Sequence, residues 1–123
     1  MSEISSAFDF RKRVAYQKWP KREFHLAARR QLRRLAEALG LAPGSYDIRN
    51  NAGGIAVSGE IILHAARIYI HVSQPATGHD TGVMFRTCEG PKDYVGGPNS
   101  FASLDLLNQP HHLAQRIREV CHV

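Results

Sequence analysis

Two pairs of adjacent arginines, Arg29-Arg30 and Arg33-Arg34, hold the clearest chemical potential in this chain. A guanidinium presents a planar fork of donors that bonds phosphate or carboxylate oxygens two at a time, and its flat face stacks on bases. Residues four apart lie one above the other on a helix, so the two pairs would form a single cationic strip. Arg22 extends that strip toward the N-terminus, and Lys21 with Arg11, Lys12 and Arg13 adds supporting basic residues near and ahead of it. Between Arg11 and Arg34 ten Lys/Arg face one acid, Glu23, a formal +9; elsewhere six basic residues face ten acidic ones, a formal −4. Charge segregated in this way suits a nucleic acid, an acidic protein or a ribonucleoprotein surface. The competing explanation is a solvated helix face that serves solubility alone.

Other reactive side chains do not assemble into a motif. The seven histidines are His25, His64, His71, His79, His111, His112 and His122, and the cysteines are Cys88 and Cys121. Neither CxxC nor HExxH occurs, and adjacent His111-His112 would point about 100° apart on a helix, so no metal site is expected. A nucleophilic Cys88 would need His79 or His71 as base and Asp80 or Asp93 to orient it. At a strand end beside a glycine-containing loop, Cys88 reads instead as a small buried hydrophobe. No catalytic residue and no cofactor is assigned, and a non-enzymatic binding protein is expected. Two isolated cysteines without a secretion signal read as free thiols in a reducing compartment, so a cytoplasmic location is the default. No apolar run approaches ~18 residues, and no membrane partner is expected.

The loop Lys92–Asn99 (KDYVGGPN) is distinctive. Gly96-Gly97-Pro98 imposes an unusual backbone path, because glycine admits positive φ and proline restricts the residue before it. The Lys-Ser/Thr that follows the glycines of a phosphate-cradling loop is missing. The loop therefore reads as a tight crossover, with Lys92 and Tyr94 as secondary candidate contacts.

These residues need elements to position them. A chain of 123 residues with 43% hydrophobic content fits one domain, residues 1–123. Residues 1–19 read as an arm or short helix laying Phe8, Phe10, Val14 and Trp19 on the body. Residues 20–40 form the basic helix. Phe24, Ala28, Leu32, Leu35 and Leu39 fall within about 80° on its wheel, the arginines take the far side, and Leu26 sits among them. Pro20 suits the first turn and Gly40 the stop. Residues 45–88 read as an antiparallel sheet with strands at Tyr46–Asn50, Ile55–His64, Arg67–Ser73 and Val83–Cys88. A hairpin about Ala65-Ala66 would pair Ile61 with Ile70 and Leu63 with Ile68, burying Ile61, Leu63, Ile68, Ile70 and Val72. The opposite face would collect Glu60, Ile62, His64, Arg67, Tyr69 and His71. Arg67, Tyr69 and His71 there form a secondary candidate surface of the polar-aromatic kind that binds single-stranded RNA. Residues 89–109 read as a Gly/Pro loop and a short helical turn, with Ser100 as cap and Phe101, Leu104 and Leu107 at helical spacing. Residues 110–122 form a C-terminal helix with Leu113, Ile117, Val120 and Cys121 as its stripe. The expected fold is α+β: an antiparallel sheet of three to four strands, with an N-terminal basic amphipathic helix and a C-terminal helix, in the order α-β-β-β-(β)-α. Double-stranded RNA-binding domains share that element order, but they carry their basic cluster at the start of the last helix.

The run RTCEGPKDYVGGPNSFASLDLLNQPHHLAQRI (Arg86–Ile117) resembles C-terminal segments of small accessory proteins of bacterial mobile elements: plasmids, integrative elements and phages. It covers about a quarter of the chain. The resemblance implies an accessory role, among which are conjugation or replication helpers and anti-defence proteins such as anti-CRISPR inhibitors, and it transfers no catalytic residue. The expectation is a protein that engages nucleic acid or a host nucleoprotein complex through its cationic helix. The alternative is a protein–protein module or homodimer with no nucleic-acid contact, and a small Cys/His enzyme ranks third.

Overall fold

Helix α1 spans Lys18–Ala38 in the computed structural model, which describes residues 8–10, 18–51, 58–74, 81–90 and 96–123. Its first turn begins two residues ahead of Pro20, which proline tolerates because the N–H it lacks would have no intrahelical partner there. Phe24, Ala28, Leu32 and Leu35 are fully buried, as their spacing requires, and Leu39 packs at the margin of the core. The helix stops at Gly40 (φ 77°), where two bonds close the end: Gly40 N–H to Glu37 O (3.0 Å) and Leu41 N–H to Ala36 O (2.9 Å). This is a Schellman cap, and its positive φ is the reason for glycine at that position.

The chain then builds one sheet from β1 (Tyr46–Asn51), β2 (Glu60–Ala65), β3 (Ile68–Val72), β4 (Val83–Thr87) and β5 (Ser100–Ala102). The spatial order follows the chain order and every neighbouring pair is antiparallel. Five strands replace the three to four expected. The extra strand lies where Ser100 and Phe101 read as the start of a helical turn. Ala102 pairs with Val83 and is buried, whereas Phe101 points to the other face and is 42% exposed. The 3₁₀ helix begins later, at Leu104–Asn108, and Ser103 caps it by accepting from Asp105 N–H. Phe101 shares a three-residue spacing with Leu104 and Leu107 but belongs to a different element.

The β2–β3 hairpin pairs Ile61 with Val72 and Leu63 with Ile70, two residues away from the expected register, and turns at Ala66-Arg67. Strand side chains alternate with period two, so a two-residue slip leaves both faces unchanged. Ile61, Leu63, Ile68, Ile70 and Val72 all reach the core.

Helix α2 (Pro110–Cys121) completes the fold, with Pro110 in its first turn and Leu113, Ala114, Ile117 and Cys121 buried. Val120, expected in that stripe, is 45% exposed. Both helices and the 3₁₀ helix cover one side of the sheet, α1 packing on β2 and on α2. The result is a single α+β domain. Phe8 and Phe10 close one end of the core as a cluster with Phe24, with ring centroids 4.9 to 6.3 Å apart. Arg11, Lys12, Arg13, Val14 and the Trp19 side chain lie outside the described residues. Among the described residues no helix is long and apolar enough to cross a membrane.

Three arginines secure this framework at backbone carbonyls. Arg29 Nη1 donates to Ile48 O on edge strand β1 (3.0 Å), and Arg116 Nη2 to Phe101 O on edge strand β5 (2.7 Å). Arg118 Nη2 donates to Ala38 O at the end of α1 (2.7 Å). Placing a charge at an edge strand also discourages another chain from pairing there.

Candidate nucleic-acid interface

The side of α1 turned away from the core carries Arg22, Arg30, Arg33 and Arg34, all exposed. Arg22 to Arg34 is twelve residues, about 18 Å of helix. Leu26, 52% exposed, sits one turn from Arg22 and Arg30. Lys21 is half-buried and lies on the core-facing side of the first turns, outside the strip. Because the opposite side of α1 is core, these guanidinium groups hang from a fixed backbone.

Arg29 is placed differently. Its Nη1 reaches Ile48 O and Asn50 Oδ1 (2.7 Å), so its fork faces β1. Asn50 Nδ2 lies 3.0 Å from His25 Nδ1, and His25 Nε2 lies 2.6 Å from Ser58 O. A carbonyl oxygen only accepts, so Nε2 carries the proton, Nδ1 accepts from Asn50, and Asn50 Oδ1 accepts from Arg29. This chain stitches α1 to β1 and to Ser58. Burial holds the His25 pKa below 6.5; the Ser58 bond opposes that shift and Lys21 adds to it. Among the four arginines of the two pairs, Arg29 is therefore a framework residue.

On the opposite flank of α1 a groove of about 450 Å³ lies between the helix and the segment Phe8–Phe10. Arg30 and Arg34 rim it, Phe8 and Phe10 wall it, and Gln31 and Asn108 add polar groups. Gln31 and Asn108 carried no signal in the sequence beyond polarity, because their roles depend on a contact between residues 77 apart.

The secondary surface lies on the sheet face that the helices leave uncovered. Pairing aligns Asp47, His64, Tyr69 and Arg86 in one row, and Arg49, Ile62, His71, Met84 and Phe101 in the next. The Arg86 guanidinium sits 4.1 Å from the centre of the Tyr69 ring, and His64 meets that ring edge-on at 5.1 Å. His64 is buried, with Nε2 3.1 Å from Gly90 O and Nδ1 3.3 Å from Arg49. His71 pairs with Glu60 at 3.0 Å, and Arg67 is exposed in the β2–β3 turn. Much of Tyr69 is thus in use within the protein. The sequence pattern missed Arg86: alternation put it on the outer face, but burial came from the loop returning over β4. Gly96 (φ 60°) lies on Arg86 so closely that a Cβ there would collide with the guanidinium, and Gly97 N–H donates to Thr87 O (3.1 Å). Close approach accounts for the Gly-Gly pair. Lys92 and Tyr94 lie outside the described residues.

Cys88 and Cys121 are both buried and unlinked, and both line a cavity of about 790 Å³ at the end of the sheet near Arg67. The Cys88 thiol donates to Ala65 O (3.3 Å), and burial pushes the Cys121 thiol pKa up. Among the described residues no three His, Cys, Asp or Glu side chains are grouped to hold a metal ion.

No protein-family model matches this chain, and no curated protein or solved structure matches it.

Proposed function

We propose that this is a non-enzymatic protein that engages nucleic acid, free or within a nucleoprotein complex, through the outward side of α1. The supporting observation is the exposure of Arg22, Arg30, Arg33 and Arg34 on one side of a helix whose other side is core. A nucleic-acid backbone offers such a strip a regular row of phosphates, and rigid placement lowers the cost of ordering long side chains on binding. The described thiols do not favour a nucleophile: Cys88 is engaged with a backbone carbonyl, and burial disfavours the Cys121 thiolate. In a bacterial mobile element, the setting implied by the Arg86–Ile117 resemblance, one concrete form is a cytoplasmic inhibitor that docks on a host defence ribonucleoprotein.

Salt dependence tests this reading. Four arginine–phosphate contacts predict that log K falls against log salt with a slope of about −3 to −4. Fluorescence anisotropy with labelled oligonucleotides over a salt series measures it. The absence of binding at low salt would reject the proposal and favour the second reading, a protein–protein module or homodimer. That reading draws on Leu26, 52% exposed amid the arginines.

A further inference from the structure

We propose that the groove between Phe8–Phe10 and α1 receives one unstacked nucleotide of a single-stranded nucleic acid, with its phosphate on Arg30 and Arg34 and its base against Phe8. This inference rests on the nucleic-acid reading of α1 and specifies its ligand. The groove, about 450 Å³, falls in the range of small-ligand sites, about 300–1,000 Å³. Its rim and its wall supply different chemistry. Arg30 and Arg34 are exposed and one helical turn apart, so both reach the same edge of the groove. Phe8 is half-buried; Phe10 (4.9 Å) and Phe24 (6.3 Å, edge-on) brace its ring from the core side. An aromatic ring held in this way offers a stacking surface with little entropy left to lose.

A hydrogen-bond chain braces the polar part of the groove. Arg34 Nη1 donates to Gln31 Oε1 (3.3 Å), Gln31 Nε2 to Asn108 Oδ1 (3.0 Å), and Asn108 Nδ2 to Phe8 O (2.8 Å). The chain fixes which end of each amide is nitrogen. It also uses one N–H and one lone pair of each, so both amides keep a donor and an acceptor for a base edge. The same chain ties the Phe8 backbone to Arg34, so the stacking wall and the phosphate donor keep a constant separation. An acidic peptide would satisfy the two arginines, and its backbone would suit the amides, but its carboxylate side chains would make no use of the phenyl wall. A duplex would satisfy the arginines too, but its bases are stacked and cannot enter a groove beside the helix. A single strand uses all three features, as proteins that stack unpaired bases on aromatics do.

The test titrates the unaltered protein with a single-stranded oligonucleotide and its duplex, in ribo and deoxyribo forms, and follows the Gln31 and Asn108 side-chain amide resonances by NMR. The expected result is that single strands shift both amides and duplex shifts neither, with the ribo and deoxyribo arms identifying the preferred sugar. Phe8→Leu keeps apolar volume but removes the stacking face, and should weaken single-strand binding about tenfold while leaving duplex binding unchanged. Equal binding of single strand and duplex, with both amide signals unmoved, overturns the groove assignment and leaves the α1 reading intact. No binding of either at low salt overturns both. Displacement of the oligonucleotide by poly-glutamate at equal affinity also overturns the assignment, in favour of an acidic protein partner.

Discussion

Arg29 and Arg30 are adjacent in the chain, yet the two flanks of α1 use them for different ends. On the β1 flank Arg29 joins Asn50, His25 and Ser58 in a chain of bonds between elements. On the flank facing Phe8 and Phe10, Arg30 is exposed at the rim of a groove. The difference follows from 100° of helical rotation: one step turns a side chain from a sheet edge with accepting carbonyls toward a solvent-filled cleft. Residue type alone does not separate an arginine that holds the fold from one that is left for a partner. The acceptor within reach of its fork does.

Charge reversal should open the widest gap between the two flanks. Arg22, Arg30, Arg33 and Arg34 replaced together by Glu should lower oligonucleotide affinity by at least about a hundredfold at moderate salt, since four attractive contacts become repulsive. Thermal unfolding should change little, because all four side chains are exposed and the bond from Arg34 to Gln31 lies at the surface. A variant that still binds, with its salt slope intact, would place the interface elsewhere.

Arg29→Ala should do the reverse. It removes the bonds to Ile48 O and Asn50 Oδ1 and leaves a carbonyl at the sheet edge open to water. Chemical denaturation should show a loss of about 1–2 kcal/mol, with affinity for oligonucleotide nearly unchanged. A large affinity loss without a stability loss would mean that Arg29 leaves β1 for the ligand, and the distinction between the flanks would fail.

The comparison also shows what could be read from the sequence. The apolar period of α1 and the alternation in β2 and β3 were legible, because burying a stripe or a face dictates those spacings directly. Even a hairpin register two residues out kept the paired side chains on their correct faces, although Arg67 moved from the strand into the turn. Strand β5 was not legible: three residues are too short for alternation to register, and Phe101 fell by chance at helical spacing from Leu104. The site was half-legible. Clustered charge identified the strip, whereas the assignment of Arg29 to β1, and of Gln31 and Asn108 to the groove, depends on long-range contacts that leave no periodic trace.

The smallest effect, and the most specific, concerns His25. Burial holds its folded pKa below 6.5, the value an exposed histidine has. Above pH 6.5 the imidazole is neutral in both folded and unfolded chains, and its bonds to Ser58 and Asn50 contribute fully. Below it, the unfolded chain takes up a proton that the folded chain refuses, so stability falls as pH drops toward and through the folded pKa. Asn50 reinforces this, since its amide N–H points at Nδ1, where a second ring proton would meet donor against donor. Asn50→Asp exchanges that donor for a carboxylate. The imidazolium then gains an acceptor at Nδ1, and Arg29 keeps an oxygen partner. The His25 pKa, followed by its ring proton shifts, should rise, and the acid-side loss of stability should shrink. Oligonucleotide binding on the other flank should be untouched, because Arg30 and Arg34 face away from this network. An unchanged His25 titration in that variant would mean that Asn50 does not oppose a second ring proton, and that burial alone keeps this flank of α1 neutral.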